Sequence, residues 1–316
     1  MPFVWAKGLD KDSNRRYFHL GPTFFSLNIG RGCSGNCTWC GGGAKAQKVV
    51  NGRSAVVFRS PEQVADTVAE AQACGYEMMH IAFDPGKEAE RYYETLLPIL
   101  MKKASKVKCY FESFSLPSER FLNVFADTFD CRGSILALSP ETGKESLRHR
   151  NKSFSFSNDA LMETIGRAEK LGLRVDLFFA MGIAGETHAD LLATQRLRSE
   201  ICRRFKNIGR IWTSPISMEP AAPWYIEPER FGIVATRRSF EDFVKAGSPS
   251  GSGLGYFIPG YYTGQPDSDS EAFEVLLKSE KCRRHCGLHP NPAKYASPLM
   301  GRLHCFFMNQ RTRGGS

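Results

Sequence analysis

The sequence predicts an α/β fold, a parallel sheet wound by right-handed crossovers, and three observations carry that reading. Six short apolar runs alternate with five helical patterns between residues 23 and 215, and such alternation implies parallel strands joined by helices. The texture changes after residue 214, where Pro215, Pro220, Pro223 and Pro228 interrupt regular structure. The residue types capable of chemistry collect just after the strand runs, where parallel sheets place their sites. Periodicity alone leaves an open sheet, a partial barrel and a closed barrel equally admissible.

Residues 1–22 show no sustained period and read as a leader or linker. Thr23–Ile29 is the first strand and delivers Gly30-Arg31-Gly32-Cys33 to its C-terminal end. Ser60-Pro61-Glu62-Gln63 starts a helix: serine caps, proline takes the first turn and glutamine sits where a capping box needs it. Val64, Val68 and Ala71 give it an apolar stripe, and Gly75 ends it. Met78–Phe83 is the second strand, closed by Asp84-Pro85-Gly86. A helix lies within Lys87–Lys103, with Pro98 a kink or break. Val107–Phe111 is the third strand, ending at Glu112, and Ser118–Phe129 is helical. Ser134–Leu138 is the fourth strand, followed by Ser139-Pro140-Glu141-Thr142-Gly143. Ser157 caps a helix that Gly172 stops near Lys170. Leu173–Met181 is the fifth strand, followed by Gly182-Ile183-Ala184-Gly185-Glu186. Thr187 opens a helix to about Phe205, and Arg210–Thr213 begins the sixth strand. Residues 216–316 read as an irregular extension over the sheet's active edge, with short helices near 236–246 and 271–280 and a frayed tail. Tyr256, Tyr261 and Tyr262 in its Gly-rich part are either a substrate wall or an ordered surface loop.

The 316 residues are 42% hydrophobic and 24% charged, as in soluble globular proteins. No run has the length of a membrane span, and Met1–Trp5 lacks the order of a signal peptide. Ten cysteines in a chain this long do not make a disulfide scaffold. Cys74, Cys109, Cys131 and Cys202 sit singly, as buried free thiols do, which implies a reducing cytoplasm. Lys and Arg total 42 against 33 Asp and Glu, a net charge of +9. This reads first as ordinary solubility charge and second as a docking field for an acidic electron donor. The basic pairs Arg203-Arg204, Arg237-Arg238 and Arg283-Arg284 are scattered, which argues against nucleic acid.

Cys33-Ser-Gly-Asn-Cys37-Thr-Trp39-Cys40 followed by Gly41-Gly42-Gly43 places three thiols in one short loop. Structural zinc closes its tetrahedron with four protein ligands, and the loop holds no fourth. A four-iron cluster on three thiolates keeps one iron open for chemistry. The glycines let the backbone approach a ligand closely. Three merely buried cysteines would sit in an apolar segment, whereas this loop is polar and Gly-rich.

This C-x3-C-x2-C loop after the first strand, with an aromatic before its last cysteine, resembles that of the radical S-adenosylmethionine (radical SAM) superfamily. The resemblance covers roughly residues 23–215 and implies a partial six-stranded (βα)6 TIM-like barrel. It implies that Cys33, Cys37 and Cys40 bind a [4Fe–4S] cluster. An electron from the cluster then cleaves the sulfonium of S-adenosylmethionine (SAM), and the resulting adenosyl radical takes a hydrogen atom from substrate. Trp39 is expected near the adenine of SAM, or as a loop anchor. Asp84 stands where the family carries Gly-Gly-Glu and is expected at the SAM amino group, or in a plain turn. Ser139 and Glu141 match the motif after the fourth strand, with Glu141 at the ribose or methionine end. Arg148 is expected to hold the SAM carboxylate, in competition with Lys144, Arg150 and Lys152. Gly182, Ala184 and Gly185 are expected to edge the adenine.

A narrower resemblance, through Leu136–Thr142, Asp176–Gly182 and the Pro-rich 215–232 segment, is to cobalamin-dependent radical SAM proteins, many of them methyltransferases. Only 22 residues precede the first strand, too few for a cobalamin-binding domain, and no Asp-x-His-x-x-Gly motif occurs. The chain is therefore expected to be a catalytic fragment, one half of a split system or a relative without cobalamin. Expected partners are a small-molecule or peptide substrate, a reducing flavodoxin or ferredoxin, and a separate cobalamin-binding domain or subunit. Cys282, Cys286, His289, His304 and Cys305 form a second group, read as free thiols ahead of an auxiliary cluster or zinc site. The competing function classes are an iron–sulfur electron carrier and a zinc-stabilised binding protein. Neither explains the ordered motifs after the strands.

Overall fold

The strand runs and caps form where the sequence places them. The computed structural model describes residues 24–247, except Ser54, Pro85, Gly86, Ser105, Ser217 and Thr236, together with Tyr261 and Tyr262. In chain order the first elements are β1 (Phe24–Ser26), β2 (Gly30–Arg31), α1 (Ala44–Asn51), β3 (Val57–Phe58), α2 (Pro61–Ala73) and β4 (Met78–Ile81). Then come α3 (Lys87–Lys103), β5 (Lys108–Ser113), α4 (Glu119–Thr128), β6 (Ile135–Glu141), α5 (Glu145–Asn151) and α6 (Asn158–Lys170). β7 (Arg174–Met181), α7 (His188–Arg204), β8 (Ile208–Pro215), α8 (Pro223–Ile226), a 3-10 turn (Pro228–Phe231), β9 (Val234–Ala235), α9 (Phe240–Gly247) and β10 (Tyr261–Tyr262) follow. The expected leader, the 271–280 helix, Tyr256 and the Cys282–Cys305 group lie outside the described residues.

Local chemistry explains the helix starts. Ser60, Ser118, Ser157 and Thr187 each cap a helix with a side-chain oxygen, satisfying N–H groups that the first turn leaves free. Thr187 and Asp190 complete a reciprocal capping box. Pro98 lies inside α3 without ending it. Burial of Tyr93, Leu96, Leu97 and Leu100 along this helix offsets the hydrogen bond that proline forfeits.

Six strands form one parallel sheet in the order β1-β4-β5-β6-β7-β8. Each new strand adds on the same side of its predecessor, so right-handed crossovers send every helix to the same face. The two faces differ accordingly. Met79, Ile81, Cys109, Phe111, Leu136, Leu138, Val175 and Leu177 join the helices in the main core. The alternating residues Met78, Tyr110, Ile135 and Ala137 form a separate cluster with Phe24 and Phe178, which contains no helix residue. A doubly wound sheet would carry helices on both faces; one covered face and one inner face make this the partial barrel type. β1 and β8 are not paired, so the barrel is open between them.

The extension does not stand apart. Met218, Trp224 and Ile233 pack with Leu147, Ala180, Ile183 and Ala184 in a third cluster, to which Trp39 adds. Fully buried Trp224 meets Trp39 edge-on, with centroids 5.9 Å apart.

Candidate functional site

The cysteine loop is held from two sides. On one, buried Asn151 at the end of α5 accepts from the Thr38 backbone N–H at 2.9 Å and from Thr38 Oγ1 at 2.9 Å. Its Nδ2 donates to Ala184 O at 3.3 Å, so this one amide ties the loop to the turn after β7. The neighbouring Ser153 Oγ accepts from Asn36 N at 2.6 Å. On the other side, Glu219 Oε2 accepts from Gly41 N at 2.8 Å, Glu219 N donates to Trp39 O and Trp224 N donates to Thr38 O.

Each of the three thiols accepts a backbone N–H: Cys33 from Gly35 at 3.3 Å, Cys37 from Ser153 at 3.4 Å and Cys40 from Gly42 at 3.3 Å. Amide donors aimed at sulfur stabilise thiolate and tune a bound cluster. Burial, then the Glu219 carboxylate, pushes the Cys40 thiol up to about 12; a metal centre must displace that proton. Among the described residues no three His, Cys, Asp or Glu side chains converge as they would on a single ion. Three thiolates in one loop are the donor set of a four-iron cluster that keeps one iron without a protein ligand, so the residues present fit such a cluster.

The glycines serve protein contacts more than ligand approach. A Cβ on Gly41 would collide with Pro220 O, and one on Gly43 would lie 2.8 Å from Gly35 O. Only at Gly42 is the nearest atom a cysteine sulfur, Cys40 Sγ at 3.5 Å.

Arg148 is engaged by its own chain. It is buried, and its guanidinium donates to Pro140 O at 2.7 Å, Phe156 O at 2.6 Å, Asn158 Oδ1 at 2.8 Å and Thr142 O. It also lies 4.9 Å from the centroid of the Phe156 ring. These four contacts tie it to the segments flanking α5. Among its competitors, Lys152 is buried, with Nζ donating to Ser139 O and standing 3.2 Å from Glu141 Oε1. Lys144 is exposed. Arg150 is exposed too, with its guanidinium beside Gly185, where an added Cβ would come 3.7 Å from Nη2.

Asp84 is likewise committed. Its Oδ2 accepts from Ser113 Oγ, Phe114 N, Ser115 N and Ser115 Oγ at 2.7–3.1 Å. It therefore organises the loop after β5 through this one oxygen.

Ser139 and Glu141 lie inside β6 rather than beyond it, because the ladder resumes after a register shift between Leu138 and Glu141. Pro140, with no N–H to give, sits within that irregularity. Glu141 takes φ 61°, a strained conformation for a residue with a side chain. Burial raises its carboxyl, and Lys152 then Arg148 work against that rise. Gly182 and Gly185 both have φ 79°, and Gly182 N donates to Glu186 Oε2 at 2.7 Å. The Gly182–Gly185 turn thus depends on two glycines for its path. Trp39 is half-buried on Trp224, the loop-anchor position.

A cavity of about 600 Å³ opens between α3, the loop after β5 and residues 153–156. Its walls include Tyr93, Phe111 and Phe121 from the helix-side core, and none of the three loop cysteines. Of the isolated cysteines, Cys109 is buried, Cys131 and Cys202 are intermediate and Cys74 is exposed, which corrects the expectation that all four are buried.

The sequence profile of the radical SAM superfamily matches residues 27–197, more than half of the chain, and the chain belongs to that superfamily. No curated protein sequence matches. Among solved structures it is similar to the radical SAM methyltransferase TsrM from Kitasatospora setae with cobalamin and a [4Fe–4S] cluster bound. That match has a TM-score of 0.64 at 12% identity, covering 96% of this chain and 63% of that one. A second TsrM structure from that organism, with tryptophan substrate and a SAM analogue, gives 0.60 at 14% identity, covering 94% and 64%. The chain thus spans less than two thirds of those structures, and at such identity the likeness shows the fold. Among the described residues no helix is long and apolar enough to cross a membrane.

Proposed function

We propose that this chain uses Cys33, Cys37 and Cys40 to hold a [4Fe–4S] cluster for reductive cleavage of SAM. The single observation that carries this is the doubly clamped loop in which each of three thiols receives an amide N–H. When bound, the cluster supplies the electron for cleavage and an open iron for the amino and carboxylate groups of SAM. Arg150 takes the carboxylate role expected of Arg148, because it is an exposed cation beside the Gly182–Gly185 turn. Glu141 faces the ribose or methionine end, its charge balanced by Lys152. The Gly182–Gly185 turn edges the adenine through backbone, and Trp39 with Trp224 fixes the loop height and keeps water from it.

Radical methyl transfer, with cobalamin supplied by a further domain or subunit, is the finer reading. It draws support from the fold likeness to a cobalamin-containing methyltransferase. A flavodoxin or ferredoxin reductant in the cytoplasm fits the exposed Lys45 and Lys48 on α1, next to the cysteine loop.

The test is anaerobic reconstitution of the chain with iron and sulfide, metal analysis, and incubation with SAM and dithionite. About four irons per chain with SAM-dependent release of 5′-deoxyadenosine is the expected result. A chain that assembles no cluster and binds no SAM would overturn the proposal.

A further inference from the structure

The inner face of the barrel carries a polar pair that the cluster and SAM reading leaves unused. His80 is the penultimate residue of β4 and Glu112 the penultimate residue of β5, so both stand at the C-terminal end of the sheet. His80 lies opposite Ser26 in the ladder with β1, the strand that leads into the cysteine loop. Both side chains point to the inner face. Their sequence neighbours Met79, Ile81, Phe111 and Cys109 belong to the helix-side core, while the His80 ring packs edge-on against Phe24 and Tyr110. His80 Nε2 and Glu112 Oε1 are 2.8 Å apart, with side chains 27% and 30% exposed. The pair is partly exposed, on the inner face of the sheet.

The proton placement follows from the bond. An ionised carboxylate only accepts, so Nε2 is the donor to Glu112 Oε1. Glu112 Oε2 and His80 Nδ1 have no other protein partner among the described residues. Glu112 Oε2 is then a carboxylate acceptor that faces outward from the pair. Their surroundings are aromatic: Phe24, Tyr110 and Phe178 share the inner face, and half-exposed Trp212 lies opposite Phe178 in the ladder. Another carboxylate on this face, Asp176, is buried, accepting from Arg210 N at 2.9 Å beside Arg174. It is closed to a ligand.

We propose that His80 and Glu112 form the polar anchor of the substrate site, and that the substrate is an aromatic or apolar molecule bearing an amine or similar N–H group. This assignment names the substrate class for the proposed radical SAM chemistry and rests on that reading for the location of the reaction.

The experiment uses the 316-residue chain with phenethylamine and 3-phenylpropionate as probes. Ligand-observed NMR reads their binding, and calorimetry on the reconstituted chain reads SAM. The wild-type chain should bind the amine and not the carboxylate. Glu112→Gln and His80→Gln should weaken the amine by about tenfold or more, the size expected for a charge-assisted hydrogen bond, with SAM affinity, iron content and circular dichroism retained. Three results would overturn the assignment: no amine binding by the wild-type chain, equal affinity in both variants, or loss of SAM affinity with amine binding intact. The two proposals separate cleanly, since amine binding by a chain that assembles no cluster would sink the enzyme reading and support the anchor.

Discussion

Replacing Cys33, Cys37 or Cys40 by alanine is expected to abolish the brown chromophore or all turnover, because a cluster held by only two thiolates has lost a third of its protein ligands. Iron analysis and absorbance check this, and full iron content with activity in any one variant contradicts it. Arg148 and Arg150 are predicted to behave oppositely, although they stand two positions apart on α5. Arg148→Ala strands three carbonyl acceptors and Asn158 Oδ1, at a cost of about 3–5 kcal/mol in stability. Arg150→Ala leaves folding within about 0.5 kcal/mol of wild type and weakens SAM binding. Denaturant melts and calorimetry separate the two; SAM affinity unchanged in Arg150→Ala returns that side chain to the surface.

At the scale of elements, the cysteine loop is gripped between the end of α5 and the extension. Gly41 is the tightest point, with Pro220 O where a side chain would begin. Gly41→Ala should force loop and extension apart and lower the iron retained per chain, while the barrel, whose core lies elsewhere, keeps its circular dichroism. Normal iron retention would show that the extension is dispensable to the loop. The cap at α7 gives a calibrated comparison. Thr187→Ala removes the side-chain half of a capping box, leaving the residue-187 N–H to donate to Asp190 Oδ2, and should cost about 1 kcal/mol without altering iron content.

For the whole molecule, the question is what covers the barrel's active edge. A cofactor as large as cobalamin needs a broad concave surface, and one face of a barrel supplies only part of it. Equilibrium dialysis of the reconstituted 316-residue chain against hydroxocobalamin is therefore expected to leave little bound, and a cobalamin domain supplied in trans should restore retention. Stoichiometric binding at micromolar cofactor by the chain alone would mean that residues after 215 build a cobalamin site of their own.

The strands, their order along the chain, the helix caps and the cysteine loop were all legible in sequence. Period-two burial, Ser-Pro-x-Gln and C-x3-C-x2-C are local patterns, and local patterns survive without knowledge of the fold. The choice between doubly wound sheet and partial barrel was not legible, because it depends on which side each strand joins. α5 and the β2–β3 ribbon were missed for a related reason: seven residues and two residues are too short to show a period. The same limit governs the site. A buried arginine and an exposed one look alike as letters, and only packing assigned Arg148 to four protein acceptors and left Arg150 beside Gly185. Asp84 went to the loop after β5, and His80 met Glu112 from a neighbouring strand. Residue types thus fixed the candidates, whereas their roles followed from long-range contacts that no window of sequence contains.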